Sequence, residues 1–423
     1  MAKEDLKWER LDNTANIFPV IAGEDMTNTY RLSVILKEEI DPEILQQAVD
    51  RVTPKFPGFN LRLRIGFFWF YFEENGKKAP RVKPEDTYPC RLIHATKNNS
   101  YLFRVTYYKT RINVEAFHAL TDGMGIIGFT RELAFQYLRL SHPKLMEKMG
   151  DGLSADTSLD REDSYKRNYK KGNKSIYKST KSFMIRGEKL PYDGFGVVHG
   201  FMQVAELKKA AKEKYGCSIN EYLIAAYIYA IYQENRARIT VKKPVRIAVP
   251  VNLRPFFESS TTKNFFAMVS AEFKPEKDDY SFEEITAITR ESLRSQITKE
   301  NLEAIFSYNV SNEDLFISRA VPLPLKNMAM KLIYEKNATA NTSTVTNIGN
   351  IQVPPEYEPY IDMFYSFLSF SIGQNIKATI TSYKDTLVYT FTSAYMSSAI
   401  QRNVFRQIAR DGVSVRIETN GVY

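Results

Sequence analysis

The chain of 423 residues is 43% hydrophobic and 13% aromatic, which is enough to form two domains, or two halves of one large unit, with packed cores. Its net charge of +9 suits anionic small molecules, acidic proteins and nucleic acid alike, so charge selects none of them. Only two cysteines occur, Cys90 and Cys217, which excludes a disulfide framework. They lie in unrelated contexts without metal-ligand spacing, so a reducing cytoplasm fits best. The charged N-terminus does not resemble a secretory signal, and the longest apolar run, residues 222–232, is too short to span a membrane.

Hydrophobic periodicity and turn signals divide the first part of the chain into strands and helices. Stretches in which apolar and polar residues alternate predict strands, and apolar residues at helical spacing predict helices. Asp41, followed by Pro42, is typical of a capped helix start. The predicted elements are strands over 29–36, 60–72, 101–108 and 111–117, a helix that begins at Pro42, and a helix over 123–138.

A polar stretch, residues 151–187, separates this part of the chain from a second part that opens in a similar order. We therefore predict two halves, residues 1–187, which end in this linker, and residues 188–423. The second half is predicted to begin with a strand over 196–204, helices over 205–214 and 219–235, and a strand over 245–251.

The last part of the linker is strongly basic. It contains eight Lys and Arg residues, with three tyrosines among them: Lys166, Arg167, Lys170, Lys171, Lys174, Lys178, Lys181, Arg186, Tyr165, Tyr169 and Tyr177. Such a stretch can contact the phosphates of a ligand or an acidic carrier protein, and its other interpretation is a solvated linker. No recognised nucleic-acid-binding motif accompanies it, so we predict no nucleic-acid partner.

The two halves also end alike. The strand that leads to His118 (NVEAFH) resembles the strand that leads to Thr392 (LVYTFT), and a predicted helix follows each of them. The same alignment places Met396 at the position of Asp122. It predicts a pseudo-dimer with one working site and one degenerate copy.

His118 is the strongest candidate for a catalytic residue. A predicted strand leads directly into it, a turn containing Gly123 and Gly125 follows, and a helix comes next. Side chains at such a strand-to-helix transition can be directed into a cleft. Because the pKa of His lies near neutrality, His118 can accept a proton from a hydroxyl or an amine that attacks a carbonyl. The alternative, a structural His at a strand end, is the commoner role of a His without such a context.

Three ordered segments resemble those of a known superfamily. The segment FHALTDG around His118 resembles the HxxxDG signature of chloramphenicol acetyltransferases, plant BAHD acyltransferases, alcohol acetyltransferases and the condensation domains of nonribosomal peptide synthetases. Residues 249–255 (VPVNLRP) and 346–349 (TNIG) resemble two segments of the alcohol-acetyltransferase-like members, and the predicted helix and strand at 405–420 are also typical. The resemblance therefore covers nearly the whole chain.

The resemblance implies an α/β fold of two chloramphenicol-acetyltransferase-like halves, each a mixed sheet with helices, which form a monomeric pseudo-dimer with a tunnel at their interface. It implies that His118 is the general base and that Asp122 is structural and pairs with Arg254. Gly123 is expected to allow close backbone packing, and Asn347 is expected to donate a hydrogen bond to the oxyanion. From the residues alone, Arg254 is equally well a surface arginine and Asn347 part of a simple turn.

The implied activity is transfer of an acyl group from a thioester, either acyl-coenzyme A or the phosphopantetheine of an acyl carrier protein, to an alcohol or amine. No metal and no permanently bound cofactor are implied. The alternatives are a free-standing condensation-type enzyme that forms amides and a catalytically silent protein that binds an acyl ligand.

Departures from the family patterns favour the alcohol-acetyltransferase-like group. Phe117 occupies the position at which condensation domains usually carry a second His, and the DFGWG segment of BAHD enzymes has no match. The other histidines, His94, His142 and His199, have no partner motif, and we interpret them as structural.

Overall fold

The computed structural model describes residues 7–171, 181–316 and 321–423 of the chain. Lys174, Tyr177 and Lys178 of the basic stretch lie outside the described residues. The strands of the described residues are, in chain order, β1 (Trp8–Arg10), β2 (Thr29–Leu36), β3 (Leu61–Ile65), β4 (Phe70–Glu74), β5 (Lys83–Pro84), β6 (Phe103–Tyr108), β7 (Arg111–Phe117), β8 (Gly196–Gln203), β9 (Val245–Asn252), β10 (Phe266–Phe273), β11 (Ser343–Asn350), β12 (Ile361–Leu368), β13 (Ile376–Tyr383), β14 (Thr386–Ser393) and β15 (Arg416–Thr419).

Helices alternate with these strands. The first long helix begins as predicted, because the side chain of Asp41 accepts hydrogen bonds from the backbone of Glu43 and Ile44. The α-helices of the described residues are α1 (Phe18–Ile21), α2 (Pro42–Val52), α3 (Gly123–Ser141), α4 (Pro143–Met149), α5 (Ser164–Asn168), α6 (Val204–Lys209), α7 (Ile219–Asn235), α8 (Arg254–Phe257), α9 (Phe282–Gln296), α10 (Lys299–Phe316), α11 (Leu323–Asn337) and α12 (Ala399–Arg410).

Two large mixed sheets organise the fold. One has the strand order β12-β2-β7-β6-β5 and packs its apolar face against α2 and α3. The other has the order β10-β9-β11-β13-β14-β8-β15 and buries a second core under α7, α9 and α12. A small third sheet, β1-β4-β3, lies beside them. Each large sheet contains parallel and antiparallel pairs, and the prediction of an α/β fold with two mixed sheets is confirmed.

Strand β12 crosses from the later part of the chain into the first sheet. It pairs antiparallel with β2, so that Phe367 lies opposite Arg31 and Tyr365 lies opposite Ser33. Its Ser366 hydroxyl is also 2.9 Å from the hydroxyl of Thr381 on β13, in the other sheet. The two sheets are therefore connected through this strand.

The repeat within the chain is real in topology, but its predicted alignment is wrong by one residue. The hairpins β6–β7 and β13–β14 turn at equivalent places, with Lys109 at φ 50° and Lys384 at φ 52°. Superposing these turns places Ser393 at the position of His118 instead of Thr392. The same register places Ser397, and not Met396, at the position of Asp122. A shift of one residue exchanges the two faces of a strand, so the sequence match paired residues that face opposite sides of their sheets.

Two further elements differ from the sequence-based predictions. Residues 60–72 do not form one strand, because the backbone turns between β3 and β4, where the N–H of Gly66 donates to the carbonyl of Trp69 at 2.9 Å. Aromatic residues continue through this turn and conceal it in the hydrophobic pattern. The linker is also packed in part: Tyr165 is buried, and its hydroxyl donates to the carbonyl of Phe266 at 2.7 Å.

Candidate active site

His118 directly follows β7, and aromatic rings surround its side chain. Its backbone N–H donates to the carbonyl of Asn28 at 2.8 Å, which fixes the chain at the end of the strand. The imidazole stacks on Phe18 with a centroid distance of 4.5 Å, and Tyr30 and Phe266 approach it at 4.8 and 5.9 Å. These rings leave the imidazole half-buried and restrict its rotation.

Asn264 fixes the orientation of the imidazole, and sequence reasoning missed this residue. Its side-chain Nδ2 donates to the backbone carbonyl of His118 at 3.2 Å and to the carboxylate of Asp12 at 3.0 Å. Because both of these atoms are acceptors, the amide oxygen is the atom that lies 3.1 Å from Nδ1 of the ring. Nδ1 therefore carries the hydrogen of the neutral imidazole, and Nε2 keeps its lone pair.

Asp12 supports this arrangement from the N-terminal segment. Its carboxylate accepts hydrogen bonds from the backbone N–H of Ala15 at 2.7 Å and of Asn264 at 3.2 Å, besides the bond from the Asn264 amide. Burial nevertheless raises the pKa of Asp12 to about 7. The three residues form a chain of hydrogen bonds from Asp12 through Asn264 to His118.

The electrostatic surroundings keep His118 uncharged. Burial lowers its pKa below the ordinary value, and the positive charge of Lys377 acts in the same direction. The carboxylate of Asp122 and the hydrogen bond to Asn264 act in the opposite direction but do not reverse the shift. A neutral imidazole with a free Nε2 is the form that can accept a proton.

The structure brings Asp122 and Arg254 together, as expected from the resemblance. Arg254 donates from Nη1 to Oδ2 of Asp122 at 2.9 Å and from Nη2 to Oδ1 at 3.1 Å, and both side chains are buried. The carboxylate also accepts from the backbone N–H of Met124, at the start of α3, and of Phe265. It therefore connects the turn after His118 to the segment that carries Asn264.

Arg254 uses its remaining donors on the same segment. It donates to the carbonyl of Thr261 from Nε at 2.9 Å and from Nη2 at 2.7 Å, and to the carbonyl of Lys263 at 2.8 Å. A buried guanidinium that is satisfied in this way holds the backbone on either side of Thr262. Its role is to position the loop that precedes Asn264.

The glycine that packing requires is Gly125, so the prediction for Gly123 needs correction. A Cβ atom at Gly123 would have no neighbour within 4 Å. A Cβ atom at Gly125 would lie 1.8 Å from Oγ1 of Thr121 and 2.7 Å from the backbone carbonyl of Thr262. The loop that leads to Asn264 therefore approaches α3 so closely at Gly125 that no larger residue fits.

The structure does not bring Asn347 to His118. Asn347 is exposed, and its Oδ1 accepts a hydrogen bond from the N–H of Gly349 at 2.8 Å. It shares a face of β11 with Val345, which is buried under the helices of the seven-stranded sheet. Ile348, on the opposite face, packs towards the first sheet. The oxyanion role is therefore not supported for Asn347, whose side chain instead stabilises a local turn.

Several other candidates have partners outside this group. Lys166, Arg167 and Lys170 form ion pairs with Asp163, Glu162 and Glu303, so these members of the basic stretch have partners within the protein. His94 and His142 lie within 3.5 and 3.3 Å of Glu24 and Glu38. His199 is buried, with its Nδ1 2.8 Å from the hydroxyl of Thr390.

Several solved structures have the same overall fold as this chain. Polyketide synthase associated protein 5 from Mycobacterium tuberculosis is 13% identical, with a TM-score of 0.60 over 95% of this chain and 96% of that chain. A protein of F. graminearum in complex with coenzyme A and deoxynivalenol is 11% identical, with a TM-score of 0.62 over 97% of this chain and 99% of that chain. The first condensation domain of the calcium-dependent antibiotic synthetase is 13% identical, with a TM-score of 0.60 over 96% of each chain.

The chain therefore shares the overall fold of these two-lobed proteins, and the expectation drawn from the sequence is confirmed at the level of the fold. No protein-family model matches the chain, and a search of curated proteins finds no relative. Within the described residues, no helix has the length and apolar character needed to cross a lipid bilayer.

Proposed function

We propose that the protein is an acyltransferase that moves an acyl group from a thioester to a hydroxyl or an amine, with His118 as general base. The observation that carries this proposal is the hydrogen bond between Nδ1 of His118 and Oδ1 of Asn264, which leaves Nε2 free to accept a proton. The lowered pKa of His118 supports it, because the imidazole then stays neutral near pH 7.

The reaction needs one proton to move twice. Nε2 of His118 takes the proton of the acceptor while the acceptor oxygen or nitrogen attacks the thioester carbonyl. When the tetrahedral intermediate collapses, the carbon–sulfur bond breaks, and the thiolate takes the proton back from His118. Holding both reactants between the two sheets would lower the barrier through proximity.

Acyl-coenzyme A is the donor that we favour. One structural neighbour is in complex with coenzyme A, and another is named a trichothecene 15-O-acetyltransferase. The similarity to condensation domains supports a second candidate, in which a carrier-bound acyl group is transferred to an amine. Phe117, in place of a second His, argues against that candidate.

A mass-spectrometric screen tests the proposal. Purified protein is incubated with a panel of acyl-coenzyme A and acyl-carrier thioesters and with mixed alcohols and amines. We expect free thiol and an acylated product in equal amounts, and the active donor and acceptor distinguish the two candidates.

The variant His118→Ala should lower the rate by on the order of 10²–10⁴, which is the usual contribution of a positioned base. His94→Ala, at an exposed His, is the matched control and should retain the rate of the unchanged protein. A folded His118→Ala variant with an undiminished rate would exclude His118 as the base.

A further inference from the structure

Lys377 is a half-buried cation with no counter-charge among the described residues. It lies on β13, opposite Thr392 of β14. Burial lowers its pKa to about 8. Across residues 7–171, 181–316 and 321–423, no side chain or backbone group forms a hydrogen bond or an ion pair with its ammonium group.

The alternation of β13 shows which way this side chain faces. Ile376 and Ala378, its neighbours on the strand, belong to the core under the helices of the seven-stranded sheet. Lys377 therefore lies on the opposite face, together with Thr379, whose hydroxyl donates to the carbonyl of Ser366 on β12 at 2.6 Å. Because β12 belongs to the first sheet, Lys377 faces the space between the two sheets.

His118 and Cys90 are the titratable groups that interact with Lys377 across this space. The charge of Lys377 lowers the pKa of His118. Cys90 has a smaller effect on Lys377 and raises its pKa. Burial raises the pKa of the Cys90 thiol well above its ordinary value, so this thiol is neutral and cannot serve as the missing anion.

The contacts agree with this interaction between Lys377 and His118. Thr392, which lies opposite Lys377, donates to the carbonyl of Leu368 at 3.1 Å, and Leu368 pairs with Tyr30, whose ring contacts His118. Lys377 therefore lies near the proposed base.

Two cations on strands of the first sheet, by contrast, have carboxylate partners. Arg31 pairs with both Glu85 and Glu115, and Arg111 pairs with Glu85. A charge that is partly removed from water is costly unless an opposite charge or hydrogen bonds replace the lost solvent. Against this background, an unpaired ammonium group beside a catalytic site indicates a partner that arrives with the substrate.

We propose that Lys377 forms a binding subsite for a carboxylate carried by one of the two substrates. The inference rests on the proposed acyl transfer, and it adds a substrate class: either the acyl group of the thioester or the acceptor bears a carboxylate near its reacting atom. The ammonium group binds that carboxylate and selects charged substrates over neutral ones of the same shape.

Paired probes test the subsite by calorimetric binding, without turnover. Succinyl-coenzyme A is compared with butyryl-coenzyme A, and 4-hydroxybutyrate is compared with 1,4-butanediol. Within each pair the carboxylate replaces an uncharged end group, and in the first pair the contribution of the coenzyme cancels. We expect the charged member of one pair to bind on the order of tenfold more tightly, as for a charge-assisted hydrogen bond. The pair that shows the preference identifies the substrate that carries the acid.

Variants at residue 377 complete the test. Lys377→Met should abolish the preference, Lys377→Arg should retain most of it, and Lys208→Met, at an exposed lysine of α6, should leave it unchanged. Circular dichroism checks that each variant is folded. Equal binding of both members in both pairs, or a preference that survives Lys377→Met, would overturn the subsite. If the preference depends on Lys377 but His118→Ala has no effect on turnover, the subsite stands and the proposed role of His118 fails.

Discussion

Asn264 holds His118 at two points, with its amide oxygen 3.1 Å from the ring Nδ1 and its amide nitrogen 3.2 Å from the backbone carbonyl. One side chain thus sets both the tautomer of the imidazole and the position of the backbone that carries it. We regard Asn264 as a positioning residue, because it acts through His118 and has no free donor for a substrate.

The variant Asn264→Ala should lower kcat by about 10–10²-fold, since a small misplacement of a reacting group costs this much, and should change KM less. Nitrogen NMR of the His118 ring should show a mixture of tautomers in place of one. The matched control is Asn347→Ala, which removes an exposed amide on the far face of β11 and should leave kcat unchanged. A large loss of kcat in the control would restore the oxyanion role of Asn347.

The ion pair of Asp122 and Arg254 should contribute mainly to stability. Asp122→Asn leaves a buried guanidinium without its carboxylate, so the free energy of unfolding should fall by about 3 kcal/mol. Denaturant titration measures this change, and a double-mutant cycle with Arg254→Met isolates the coupling between the two side chains. Additive effects of the two substitutions would contradict a direct interaction.

The two glycines after Asp122 should respond in opposite ways to the same substitution. Gly125→Ala places a methyl group against Thr121 and the carbonyl of Thr262, and should lower the free energy of unfolding by about 1–3 kcal/mol. Gly123→Ala meets open space at the first position of α3 and should be neutral or stabilise the protein by up to about 1 kcal/mol. Thermal unfolding of the two variants provides the comparison, and the reverse order would contradict the close approach at Gly125.

His199 should make the protein sensitive to acid. Burial, with a smaller effect of the Arg111 charge, lowers its pKa from 6.5 to about 3 in the folded protein. Between these values the unfolded chain binds a proton that the folded protein does not, so stability is lost as the pH falls below 6.5. The free energy of unfolding should therefore decrease more between about pH 7 and about pH 5 in the unchanged protein than in His199→Gln. Parallel curves for the two proteins would show that His199 has no such role.

The sequence predicted the local parts of this site better than its assembly. Strand β2, helix α7 and the turn after His118 follow from hydrophobic period and capping residues, which act over a few positions. The pairing of Asp122 with Arg254 came from ordered motifs shared with a superfamily. Asn264 has no motif around it, and it meets His118 only because the loop before β10 packs against α3. Asn347 lies in a recognisable segment, but the alternation of β11 decides which way its side chain points.

Strand β12 makes the fold sensitive to being cut into two fragments. Its ladder with β2 ends beside Tyr30, whose ring contacts His118, so a strand from the later part of the chain supports a residue of the earlier part. A fragment that stopped at residue 187 would leave β2 as an open edge, with unpaired N–H and C=O groups available to other chains. Such a fragment would tend to aggregate, and activity should return only when the piece that carries β12 is supplied with it.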